Sequence, residues 1–189
     1  MSTHSIKNLV TSGFWIYLMS DCVLFAGLFA TYAVLSPETY GAIGIESIVH
    51  IPFVLVETLL LLTSSFTMGL AVLAAQAHKR VATVLLLKLT LLLGLSFLAM
   101  EAYEFAKLIG EGYGPDRSAF LSSFFTLLGT HGLHVLMASI WMCVVIAHVW
   151  FKGLGEGTQT KLACLALFWH FLDIIWIFIF TFVYLFGTL

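Results

Sequence analysis

The chain has 189 residues, of which 61% are hydrophobic and 10% are charged, and its formal net charge is −2. A soluble domain is about 45–50% apolar and about 25% charged. This composition therefore excludes a disordered chain, a coiled coil and a basic nucleic-acid-binding protein. It also argues against an ordinary water-soluble domain, because too few polar side chains are present to cover the outside of one.

Five apolar stretches follow one another along the chain, at residues 13–36, 51–76, 81–109, 118–151 and 160–186. A bilayer core of about 30 Å is crossed by about 20 helical residues, so each stretch is long enough. The short alternating segments of a membrane β-barrel are absent from the sequence. We therefore predict an all-α integral membrane protein, a bundle of five transmembrane helices that forms a single membrane domain over residues 1–189.

The loops between these stretches predict the orientation of the bundle, because cytoplasmic loops carry an excess of Lys and Arg. A cytoplasmic N-terminus places five basic residues on the inner side and two on the outer side. The inner residues are Lys7, Lys79, Arg80, Lys152 and Lys161, and the outer ones are Lys107 and Arg117. We therefore expect a cytoplasmic N-terminus and a periplasmic C-terminus, with Tyr184 in an aromatic belt at the outer interface.

Nine ionisable residues lie inside the predicted spans, where a charge costs about 2.5–3.5 kcal/mol on insertion scales. They should face protein or water rather than lipid. Counting along each helix at about 1.5 Å per residue predicts two polar layers. The inner layer contains Asp21, Lys88, His170 and Asp173, and the outer layer contains Glu57, Glu101, Glu104, His131 and His134.

Spacing within these layers predicts shared faces, since Glu101/Glu104, His131/His134 and His170/Asp173 are all i,i+3 pairs. We expect a carboxylate–imidazole hydrogen bond between Glu101 and His131, which lie at nearly the same depth. Five carboxylates accompany one lysine, so either several are protonated or another subunit supplies partners.

Two interpretations of these residues remain open. A di-iron bundle needs Glu-x-x-His motifs on two helices, whereas here the Glu and His pairs lie on separate helices. A haem needs two histidines at matching depth, and His134 and His170 differ by about 12 Å. We therefore favour structural contacts between helices, lipids or subunits, and we predict no catalytic, cofactor-binding or metal-binding residue. The alternatives are a proton-coupled membrane transporter and a stand-alone membrane metal or haem redox enzyme.

Small residues one helical turn apart let helices approach closely. Ser65 and Gly69 form such a pair in the second span, and Ala26 and Ala30 form another in the first. Packing within this chain explains most of these faces, but one of them could remain for a neighbouring protein.

Three segments resemble subunit III of the haem–copper terminal oxidases. Residues 168–176, FWHFLDIIW, resemble its WHFxDxxW signature; residues 129–135, GTHGLHV, resemble its HGLHV segment; and residues 101–105, EAYEF, resemble its E-x-x-E-[YF] stretch. Segments 13–22, 52–58 and 114–118 are most similar to the bacterial cytochrome bo-type ubiquinol oxidase branch. The resemblance runs from about residue 13 to the last residue.

This resemblance implies a cofactor-free, five-helix accessory subunit of a proton-pumping quinol oxidase in the bacterial cytoplasmic (inner) membrane. It implies that the complex oxidises ubiquinol and reduces dioxygen to water, with the haems and copper in subunit I. Subunit I would be the main contact, and subunits II and IV and phospholipids would be further partners. The implied role is assembly, stability and lipid binding beside subunit I.

Overall fold

The computed structural model describes residues 3–36 and 51–185, and this part of the chain is helical and contains no strand. The helices are α1 (Thr3–Leu35), α2 (Ile51–Gln76), α3 (Arg80–Gly110), α4 (Ala119–Lys152) and α5 (Glu156–Ile179), the last continuing as a π-helix over Phe180–Leu185. Among the described residues, five helices are long and apolar enough to cross a membrane. The predicted all-α class with five membrane-spanning helices is therefore confirmed.

Local chemistry sets several helix ends. The Ser118 hydroxyl caps α4 by accepting a hydrogen bond from the Leu121 backbone N–H at 3.1 Å. Gly153 ends the same helix with φ at 76°, a left-handed conformation that glycine adopts without steric cost. Pro52 lies in the first turn of α2, where its missing N–H leaves no hydrogen bond unmade.

Helices α2, α3, α4 and α5 form a ring in which each contacts the next and α5 closes on α2. Helix α1 packs outside this ring, against α4 and α5. Many large apolar side chains remain exposed on the outside of the bundle, such as Val23, Phe66 and Leu92. Such an exterior suits contact with lipid and with other membrane helices.

Two tryptophans of α5 fill the centre of the ring and bind α2 through their indole nitrogens. Trp169 Nε1 donates to Ser64 Oγ at 3.0 Å, and Trp176 Nε1 donates to Thr58 Oγ1 at 3.1 Å. Gly94 of α3 makes room for the first indole, since a Cβ there would lie 2.6 Å from Trp169 Cη2. A glycine is therefore required where α3 approaches the indole ring of Trp169.

Candidate functional site

Asp21 of α1 and His134 of α4 lie together, although the sequence placed them in different layers. His134 Nε2 is 3.8 Å from Asp21 Oδ2, which is an electrostatic contact rather than a hydrogen bond. His134 Nδ1 lies 2.7 Å from the Thr130 carbonyl oxygen. That nitrogen must donate, because a carbonyl only accepts. The other ring nitrogen, Nε2, is the one that faces the carboxylate.

The layer prediction was wrong for this pair because α1 begins at Thr3, ten residues before the predicted span. Asp21 is therefore 18 residues from the start of α1, and His134 is 18 residues from the end of α4 at Lys152. The two helices run in opposite directions across a membrane, so both side chains lie at the same depth.

Glu57 of α2 and Glu101 and Glu104 of α3 form a buried acidic cluster. Glu57 is fully buried and interacts electrostatically with the other two carboxyl groups. Tyr184 donates a hydrogen bond to Glu104 Oε2 at 3.2 Å. Within residues 3–36 and 51–185, neither Glu57 oxygen has a hydrogen-bond partner, and Glu101 Oε1 also has none. Ionised carboxylates packed together repel one another, so the cluster shares protons or pairs with groups outside the described residues.

His131 of α4 is fully buried among aromatic rings. Its ring centroid is 5.3 Å from that of Trp176, 6.0 Å from that of Phe97 and 6.4 Å from that of Phe25. Neither ring nitrogen has a hydrogen-bond partner in the part of the chain that the structure describes.

The expected hydrogen bond between Glu101 and His131 is therefore absent from the described residues, and that prediction was wrong. Glu101 instead packs against Gly132, where a Cβ would lie 2.9 Å from Glu101 Oε1. Neighbouring residues on a helix point about 100° apart. The turn of α4 that faces Glu101 therefore presents Gly132 to the carboxyl group and directs His131 into the aromatic core.

His170 and Asp173 of α5 form a third polar group with Ser65 of α2. His170 Nδ1 is hydrogen-bonded to Ser65 Oγ at 2.7 Å. Asp173 interacts with both Ser65 and His170 and is 8% exposed. This group joins the middle of α2 to the middle of α5, and His170 itself is only half-buried.

Lys88 is exposed on the outside of α3 and makes no ion pair with the described residues, so its expected contact with protein or water stays a prediction. One further expectation was wrong. Tyr184 lies in the core, 1% exposed, and not in an aromatic belt. Sequence reasoning therefore missed its contact with the acidic cluster, and the i,i+11 spacing from Asp173 was the only signal that placed it near the polar face of α5.

No group of three or more His, Cys, Asp or Glu side chains that could hold a metal ion occurs among the described residues. The eight predicted site residues instead fall into three separate polar groups and one buried histidine. In two of these groups, and in the tyrosine contact of the third, the polar side chains join different helices. This arrangement suits helix–helix attachment.

Comparison with known proteins gives the family. Residues 1–188 match the family model described as cytochrome c oxidase subunit III. The chain belongs to the cytochrome c oxidase subunit III family. The resemblance inferred from the three sequence motifs is thus confirmed, and a subunit III is an accessory component of a terminal oxidase.

Curated relatives cover nearly the whole chain. Subunit 3 of the cytochrome bo(3) ubiquinol oxidase of Pseudomonas aeruginosa is 55% identical over 98% of this chain and 89% of its own length. The protein of the same name from Pseudomonas putida is 50% identical over 98% and 90%. The quinol oxidase subunit 3 of Bacillus subtilis is 43% identical over 93% and 86%. This subunit III therefore matches relatives along the length that carries all three polar groups.

Proposed function

We propose that this subunit III is a cofactor-free accessory subunit of a proton-pumping quinol oxidase, and that it stabilises the complex beside subunit I. The complex oxidises ubiquinol and reduces dioxygen to water, and subunit I holds the haems and copper. The relatives from Pseudomonas and Bacillus are named as subunits of ubiquinol or quinol oxidases, and these names support a quinol as the electron donor. Subunits II and IV are the other protein partners, and no nucleic acid is involved.

The observation that carries the structural role is that each of the five helices makes a polar contact with another helix. Asp21 and His134 join α1 to α4, and Ser65 and His170 join α2 to α5. Tyr184, beyond α5, joins Glu104 on α3. Such residues act as fasteners within a single membrane domain, and electrons do not pass through them.

The bundle lies in the bacterial inner membrane with its N-terminus cytoplasmic and its C-terminus periplasmic. Basic residues at one end of the bundle support this orientation. Arg80 lies 5.8 Å from the ring centroid of Trp150, and Lys161 Nζ lies 3.4 Å from His148 Nε2. These contacts gather the starts of α3 and α5 and the end of α4 at the face that the positive-inside rule assigns to the cytoplasm.

A shallow groove at this end supports phospholipid binding. Its volume is about 310 Å³, and Phe14, Trp141 and Lys161 are among its lining residues. An acyl chain would pack on the aromatic rings while Lys161 binds the phosphate, as a cation at the membrane interface does.

Purification tests the proposal. The affinity-tagged chain, extracted from its native membranes in a mild detergent, is expected to bring subunits I, II and IV with it, together with a haem absorption spectrum. The isolated chain is expected to carry no iron, copper or porphyrin. A tightly bound redox group on the isolated polypeptide, or the absence of every oxidase subunit, would contradict the proposal. Proton flux in liposomes that contain only this chain would favour the transporter instead.

A further inference from the structure

An open groove runs between α2 and α5 on the outside of the bundle. Its volume is about 850 Å³, and its lining includes Leu62, Ser65, Phe66, Gly69 and His170. We infer that this groove receives a transmembrane helix of a neighbouring oxidase subunit, and that a polar side chain of that helix hydrogen-bonds to His170. This inference rests on the proposed function, because it requires a multi-subunit oxidase.

The shape of the groove suits a helix. Ser65 and Gly69 lie one turn apart on α2, and a Cβ placed at Gly69 would meet nothing within 4 Å. Phe66 and Leu62, which are 67% and 51% exposed, also line it. Small residues beside large apolar ones let a second helix approach closely, with its side chains beside the larger residues.

The polar chemistry of the groove argues against lipid as the occupant. His170 Nδ1 is used by Ser65, while Nε2 has no hydrogen-bond partner among residues 3–36 and 51–185. His170 lies 14 residues after Glu156 and 15 before Leu185, so it is at the middle of the last span. At about 1.5 Å per residue it is about 20 Å from either end. Lipid head groups do not reach that depth, and acyl chains form no hydrogen bonds.

A helix from another protein can satisfy this nitrogen. A hydroxyl, amide or carboxyl group at mid-membrane would pair with Nε2 in either tautomer of the imidazole, because those groups both donate and accept when neutral. Ser65 and Asp173 already hold the imidazole in place. The groove therefore offers close packing and one directional hydrogen bond, the two contributions that drive helix association in lipid.

A second copy of this chain fits the groove less well. A two-fold dimer formed through this face would set two identical concave surfaces against each other. At the two-fold axis, Gly69 of one copy would face the same hollow on the other, and two identical hollows do not fill one another. The occupant is accordingly a different subunit.

A glycine substitution tests the inference in the assembled complex. Gly69→Leu fills the groove, and Gly27→Leu is the matched control, because a Cβ at Gly27 on α1 also meets nothing within 4 Å. The ratio of oxidase subunits recovered with the tagged chain is expected to fall about tenfold for Gly69→Leu, equivalent to about 1.4 kcal/mol. It is expected to stay at the wild-type value for Gly27→Leu, and both isolated chains should unfold at the wild-type temperature.

The outcomes separate the inference from the proposed function. Wild-type recovery with Gly69→Leu, or equal losses in both variants, would overturn the docking inference alone. Failure of the unmodified chain to recover any oxidase subunit would overturn the proposed function instead.

A photo-crosslinker identifies the occupant directly. Phe66→Cys carries a benzophenone maleimide within the groove, in a background where the exposed Cys22 and Cys143 are replaced by Ser. Leu92→Cys, on the exposed face of α3, is the matched control. After irradiation in native membranes, mass spectrometry is expected to find a transmembrane peptide of another oxidase subunit attached to the Phe66→Cys variant but not to the control. Attachment only to lipid, to quinone or to a second copy of this chain would overturn the inference, as would the absence of any protein adduct.

Discussion

The contact between Gly94 and Trp169 leads to a quantitative prediction about packing. The Gly94→Ala substitution places a methyl group 2.6 Å from Trp169 Cη2 and 2.8 Å from Cζ2. The indole cannot move away freely, because it is 2% exposed and is held by its hydrogen bond to Ser64. Overpacking of this kind costs about 1–3 kcal/mol.

Helix propensity must be separated from this steric effect, since Ala is favoured over Gly within a helix by about 1 kcal/mol. Gly27→Ala provides the control, because it has the same propensity change with open space around its Cβ. Thermal unfolding of the purified chain in detergent measures both variants. The melting temperature of Gly94→Ala should be lower than that of the control by about 2–12 °C, at about 2–4 °C per kcal/mol for a chain of this size.

A double-mutant cycle tests the assigned cause. Phe at position 169 lacks the ring atoms that the new methyl group would meet. In a Trp169→Phe background, Gly94→Ala should therefore cost less than about 0.5 kcal/mol. Equal melting temperatures for Gly94→Ala and Gly27→Ala, or strict additivity in the cycle, would refute the reasoning.

Three further predictions concern the polar groups. His134→Ala removes the partner of Asp21, and Asp173→Ala removes a partner of His170. Each substitution should weaken assembly or shorten the working life of the oxidase before it changes initial turnover, as measured by a time course of oxygen consumption. Immediate loss of activity in a fully assembled complex would contradict this role. Tyr184→Phe should lower the unfolding free energy by about 1–3 kcal/mol, because a buried oxygen of Glu104 loses its donor, whereas the exposed Tyr103→Phe should have no effect on the melting temperature. Lys88→Leu should raise the melting temperature of the isolated chain, because it removes an exposed charge from within the span, and a lower value would show that this lysine stabilises the chain.

The number and class of the helices followed from the sequence because each apolar run is long enough to cross a bilayer. The family followed from three motifs. The depth of each polar residue in the membrane was harder to predict, since hydropathy marks where lipid begins rather than where a helix begins. Helix α1 extends through polar residues to Thr3. Counting from residue 13 therefore underestimated the depth of Asp21 and missed its contact with His134.

Side-chain partners were the least predictable part of the site. Periodicity shows which residues share a helix face, but it does not show which face of the neighbouring helix is opposite. His131 and Gly132 illustrate the difficulty, because one residue along α4 decides whether an imidazole or a bare backbone faces Glu101. Tyr184 is another example, since an aromatic residue near the end of a span suits both an interface and a core.

Helix α5 and its π-helical continuation follow the other described helices in the chain, and this order affects biogenesis. They provide the indole donors for Ser64 and Thr58, the imidazole beside Ser65 and the phenol that binds Glu104. During translation, α2 and α3 enter the membrane before any of these groups has left the ribosome. Until α5 arrives, the hydroxyl groups of Thr58 and Ser64 bind only carbonyl oxygens of their own helix, and Glu104 lacks its phenol donor. The acidic residues of α2 and α3 therefore need the most help from insertion factors during this interval.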